Sequence, residues 1–263
     1  MPLKEAYVVP HPPLLVEAVG KESVKDVPGS FSGIKNIAER IAAIKPQTIV
    51  LTSPHAPYLY DRFFVDASDR VSGSFARFGA PHSTLEVKVD TAFVEKLRHE
   101  AKAEGIALSP AVSELDHGTL VPLSFISEAY SDFTLVRIGL SEKSKDDHVR
   151  LGKLIRRLLD QTVEPSVFIA SGDLSHYLKS EGPYGYREEG QVFDDEIVDI
   201  VQSKRLERLL DIPSELIDRA GQCGYPSLLI LHGVLGDDLV DADMLAYENT
   251  FGVGYLTARL ALS

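Results

Sequence analysis

The chain has 263 residues, 44% of them hydrophobic, enough to bury a core in one large α/β domain or two small ones, and one domain over residues 1–263 is the expectation. Its 27 Lys and Arg stand against 39 Asp and Glu, and the net charge of -12, with no basic run, argues against a nucleic-acid partner. No apolar run is long enough to span a bilayer, the opening Met-Pro-Leu-Lys-Glu does not read as a signal peptide, and the single Cys223 excludes an internal disulfide or a Cys-rich zinc module; a cytoplasmic protein that touches no membrane is expected.

In chain order, residues 6–9 read as a buried strand running into Pro10-His11-Pro12-Pro13. Residues 32–44 carry Ile34, Ile37, Ile41 and Ile44 at a helical period and close at Lys45-Pro46. The strand at 48–52 leads into Ser53-Pro54-His55-Ala56-Pro57. Shorter strands at 63–65 and 85–89 flank a loop containing Gly73 and Gly79. A helix at 91–103, a strand at 134–138 and a helix at 146–159 follow, and the last has Arg and Lys toward its C-terminal end, where the helix dipole favours them. The apolar run from Val167 then enters Ser171-Gly172-Asp173-Leu174-Ser175-His176. Helices are predicted at 188–210, 214–220 and 225–234, and a closing pair of strands at 243–248 and 252–258. Alternation of this kind predicts an α/β fold, with a central mostly parallel or mixed sheet flanked by helices on both faces.

Three predicted core strands thus each deliver a histidine just past their C-terminal ends, where open α/β sheets bind ligands. The prolines around His11 and His55 fix the local backbone and remove amide donors, which suits a pre-oriented metal ligand and suits a turn-capping histidine equally. His117 follows Asp116 in a predicted turn, and His176 lies near Asp173. A neighbouring carboxylate raises an imidazole's pKa toward working pH, which serves acid–base chemistry or a structural hydrogen bond. Of the other four histidines, His99 and His148 stand among charges and read as solvated. His232 reads as a satisfied core residue and His82 as a loop residue.

The ordered succession of Pro10-His11-Pro12-Pro13, Ser53-Pro54-His55-Ala56-Pro57, Asp116-His117-Gly118 and Ser171 to His176 resembles the LigB superfamily over nearly the whole chain. That superfamily comprises the catalytic subunits of class III extradiol ring-cleaving dioxygenases and their MEMO-like relatives. The resemblance implies a non-haem Fe(II) cofactor with His11 and His55 among its ligands, His176 as the acid–base residue with Asp173 beside it, and His117 assisting. It implies a small aromatic diol and O2 as substrates, and leaves open a homo-oligomer or a second subunit covering the pocket. Where ring cleavers place a glutamate before a long apolar helix, this chain has Cys223 ahead of residues 225–234, which resembles the MEMO branch. A thiolate is softer than a carboxylate, so a His11, His55, Cys223 set tilts selectivity toward Zn, Cu or thiolate-tolerant iron. Glu248 is the alternative carboxylate, although a strand-end or turn role is the stronger reading. Three functions therefore stay open: extradiol dioxygenase, MEMO-like metal-binding redox or partner-binding protein, and zinc-dependent hydrolase.

Overall fold

The computed structural model describes residues 2–262. Among them, ten strands form one sheet: β1 (Leu3–Val9), β2 (Thr48–Ser53), β3 (Phe63–Asp66), β4 (Arg70–Phe75), β5 (Ala80–Val89), β6 (Leu108–Ala111), β7 (Thr134–Gly139), β8 (Ser166–Ser171), β9 (Leu239–Glu248) and β10 (Tyr255–Leu262). The order is β4-β5-β7-β2-β8-β1-β10-β9, with β3 joining the far end of β7 and β6 pairing with β3. The strands β7, β2, β8 and β1 run parallel, while β10 and β9 add on antiparallel beyond β1. Parallel strands covered on both faces are largely apolar, and β2 and β8 are buried at every position.

The helices are α1 (Glu17–Gly20), α2 (Pro28–Ile44), α3 (Thr91–Ala103), α4 (His117–Ala129), α5 (Lys145–Leu159), α6 (Glu188–Gln202), α7 (Ser214–Ala220) and α8 (Tyr225–Leu235). α2 packs with α4 over one face of the sheet, and α5 packs with α8 over the other. Side-chain alternation along β1 shows the first of these faces directly: Glu5 points toward α2, where Arg40 bonds it at 2.6 Å. No helix among the described residues is long and apolar enough to cross a membrane.

Two strands escape a reading of the sequence. β4 contains Gly73 and looks like loop, but the turn itself is made at Gly79, at φ 83. β6 contains Pro110, which its partnership with β3 alone tolerates because an edge position needs fewer ladder donors. The helix expected over 188–210 stops at Gln202, since Lys204 turns left-handed at φ 61, and a separate short helical turn spans Leu206–Asp211. α4 begins at His117, directly after its Asp116 cap, where the sequence predicts a turn.

Three histidines also sit differently from expectation. His148 is buried, not solvated: it lies on the inner face of α5, edge-on to Phe63 at 4.9 Å, with Nδ1 2.9 Å from the Ser144 carbonyl. The helical period outranks the local density of charge, because Asp147 and Arg150 occupy outer positions on the same turns. His82 belongs to β5 and is exposed, and half-buried His232 has no partner for Nδ1 among the described residues. His99 is exposed on α3 as expected.

Candidate metal centre

The three parallel strands that carry the motifs end level with one another, because Val9 pairs with Ser171 and Thr52 with Ala170. His11, His55, Asp173 and His176 therefore emerge together at one edge of the sheet. The N-terminus of α4 closes over them. Asp116 caps that helix, accepting from the Thr119 amide at 3.1 Å, and also takes the Ser53 hydroxyl at 2.5 Å. Gly118 sits where any side chain would collide: a Cβ there would lie 2.4 Å from Ser53 Oγ and 3.4 Å from His11 Nδ1.

A chain of hydrogen bonds determines which nitrogen of His11 faces the centre. Pro122 has no N–H to return to the Gly118 carbonyl one turn back, so that carbonyl is free to accept from Ser171 Oγ, at 2.6 Å. Having spent its proton there, Ser171 Oγ can only accept from His11 Nδ1, 2.9 Å away. The His11 proton is thus on Nδ1, and its Nε2 lone pair points to His55 Nε2 at 3.1 Å and to Cys223 Sγ at 3.6 Å. Three donors, one from each of His11, His55 and Cys223, lie within 4.8 Å of one another. That set fits a single metal ion, since lone pairs this close need a shared cation or proton between them.

Cys223 arrives through a close backbone approach. At Gly172 a Cβ would lie 2.2 Å from the Gly224 Cα, so only glycine lets the start of α8 reach the end of β8. The Asp173 carbonyl then accepts the Gly224 amide at 2.9 Å, and the Asp173 amide donates to Cys223 Sγ at 3.3 Å. The Asp173 carboxylate accepts the His11 amide at 2.9 Å. His117 stacks on His55 with ring centres 4.0 Å apart, and His176 stacks on Tyr184 at 5.1 Å.

Burial dominates the electrostatics. It holds His11 well below the ordinary imidazole value, aided by the neighbouring imidazoles, and takes His176 down to about 4; His55, although its ring reaches solvent, is lowered by partial desolvation and by the adjacent His117. His117 is lowered too, with Asp116 opposing the shift, so neither acid–base imidazole gains the raised pKa that its carboxylate neighbour suggested. The Cys223 thiol is pushed well up by burial and then by Asp173, whose own carboxyl burial raises to about 7. All four imidazoles are neutral near pH 7, the form that ligates a cation.

Beside this cluster lies a cavity of about 680 Å³, walled by Pro13, Leu14, Phe78, Tyr184, Phe251 and Tyr255 and floored by His55, His117, Asp173 and His176. Its size and apolar walls suit a small planar ligand.

Comparison with known proteins adds to this geometry. The model of the family described as the catalytic LigB subunit of aromatic ring-opening dioxygenase matches residues 5–258. The chain belongs to the LigB family. Among curated relatives, Protein CA_C1420 of Clostridium acetobutylicum is 34% identical over 99% of this chain, and the chain spans 58% of that protein's length. A MEMO1 family protein of Methanococcoides burtonii is 25% identical over 89% of this chain and 94% of its own. The crystal structure of an uncharacterized Escherichia coli K12 protein, JW3007, shares the fold at a TM-score of 0.66 and 16% identity, covering 98% of this chain and all of that one.

The LigB core of this chain also depends on residues that sequence reading passes over. Arg137, in the apolar run of β7, is fully buried and bonds Asp66 through two nitrogens at 2.6 and 3.0 Å, Asp116 at 3.3 Å and the carbonyls of Ser113 and Glu114. It anchors the segment that leads into His117. A charged residue within a core strand was the available signal. Glu248 lies away from the centre: it caps α2, accepting from the amides of Gly29 and Ser30 at 2.9 and 2.7 Å.

Proposed function

We propose that this LigB-family chain is a metal-dependent oxidoreductase that opens the ring of a small catechol-type diol with O2. The observation that carries the reading is the convergence of His11, His55 and Cys223 on one point, with His176 and an aromatic-walled cavity beside it. An ion at that point, Fe(II) in the ring-opening reading, would link the diol and dioxygen electronically while its protein ligands stay fixed.

The chain's own residues do the rest. His11 and His55 offer neutral nitrogens, and Cys223 releases its thiol proton as the centre fills. His176, neutral near pH 7, takes the proton of a diol hydroxyl and returns it later in the cycle. Tyr184 holds the plane of the His176 ring by stacking, and His117 steadies His55 from its other side. Leu14, Phe78 and Phe251 keep water from the bound ring.

A second reading is favoured by the thiol donor itself and by relatives named as MEMO1 family proteins: a MEMO-like metal protein, redox-active or partner-binding, that cleaves no ring. A zinc-dependent hydrolase on the same donors is the third. Elemental analysis of anaerobically purified protein, followed by oxygen uptake with a catechol panel after Fe(II) reconstitution, separates ring opening from the other two. Stoichiometric iron with diol-dependent uptake that vanishes in His176→Ala supports ring opening. Stoichiometric metal without uptake supports the second reading or the third, and no metal under any loading condition refutes the centre.

A further inference from the structure

The site holds more donors than one three-residue centre uses. The Asp173 carboxylate is buried, the His11 amide bonds its Oδ1, and Oδ2 faces the centre, 3.9 Å from His11 Nε2. His176 Nε2 is buried with no hydrogen-bond partner among the described residues. An oxygen of Asp173, a ring nitrogen of His176 and Cys223 Sγ lie within 4.8 Å of one another, as do the His11, His55 and Cys223 donors. Cys223 belongs to both sets, and a thiolate has lone pairs enough to bridge two cations.

We propose that the site accepts a second thiolate-tolerant divalent cation such as Zn(II), held by Asp173, His176 and Cys223 and bridged to the first through Cys223 Sγ, and that this second ion inhibits turnover. The inhibitory part rests on the function proposed above, in which His176 moves a proton. Asp173 and His176 line the floor of the cavity beside His55, whereas His11 and Cys223 do not, so an ion held by Asp173 and His176 faces the substrate space. An ion there forms bonds to one carboxylate oxygen, one imidazole nitrogen and the shared sulfur. It ties up the nitrogen that would otherwise take the diol proton. The second ion joins a centre that already carries the first ion's charge, so it binds more weakly.

The test is a Zn(II) titration of the metal-free chain against a chromophoric chelator, with retained zinc counted by elemental analysis and a parallel Co(II) titration read in the thiolate charge-transfer band. Wild type should take two equivalents, the second at least tenfold weaker. Asp173→Asn and His176→Gln should each take one. Asparagine keeps an oxygen for the His11 amide, and thermal melts check that both variants fold. If Asp173→Asn fails to fold, His176→Gln alone decides the matter. Oxygen uptake of the Fe(II)-loaded wild type should fall as zinc is added. A wild type that saturates at one equivalent, or a second equivalent retained in His176→Gln, overturns this proposal and leaves the function proposed above standing. A wild type that binds none overturns both.

Discussion

Replacing Arg137 with methionine tests how much of the site's scaffold rests on one buried cation. Arg137 and Asp66 are both wholly buried, and the guanidinium also serves Asp116, Ser113 and Glu114. Burial already pushes the Asp66 carboxyl up, and Arg137 is what pulls it back. Arg137→Met leaves that carboxylate without its partner and strips donors from two backbone carbonyls. Breaking a buried pair from one side costs about 3–5 kcal/mol, a large share of the roughly 5–15 kcal/mol that typical domains have. Urea denaturation at pH 7 reads the loss directly. The double variant Arg137→Met, Asp66→Leu should recover part of it, because it removes the buried Asp66 charge while Asp116 and the two carbonyls still lose their donor. A single-variant loss below about 1 kcal/mol, or a double variant no more stable than the sum of the singles, would refute the account of Arg137 as the anchor of the segment before His117.

Three other expectations follow from the same geometry. Ser171→Ala removes the acceptor that holds the proton on His11 Nδ1, so metal affinity should fall about 10–100-fold; an unchanged affinity in a chelator competition would contradict the tautomer argument. Asp194 accepts from the Ser175 amide and from the Tyr247 hydroxyl, each at 2.8 Å, and burial pushes its carboxyl up to about 7. Its native state keeps a proton that the unfolded chain releases near the ordinary carboxylate value. The stability it contributes is therefore complete below about pH 4 and is lost as pH rises through about 7. Asp194→Asn cannot ionise, so its stability relative to wild type should rise across that window, and a difference flat with pH would count against it. Glu248→Ala should cost about 1–2 kcal/mol through loss of the α2 cap while metal stoichiometry stays unchanged; loss of metal would instead return Glu248 to the centre.

Much of this protein is legible in its sequence, since some physical signals are local. Buried parallel strands carry apolar runs, so residues 6–9 of β1, together with β2 and β8, announce themselves, and their C-terminal ends are where side chains must gather. His11, His55, His117, Asp173, His176 and Cys223 could be picked out from motif order, and the fold brings all six to one edge of the sheet. The period of α3 likewise marks its limits at Thr91 and Ala103. What the chain could not reveal by itself depends on partners distant in sequence. The burial of His148 depends on which face of α5 meets Phe63. The cap that Glu248 provides links β9 to a helix 219 residues earlier. The proton on His11 is set by Ser171, the carbonyl of Gly118 and the missing amide of Pro122, groups that meet only when β1, β8 and α4 are assembled. Periodicity and composition describe one segment at a time, whereas a tautomer, a cap and a buried ion pair are properties of contacts between segments, and only the tertiary structure supplies those.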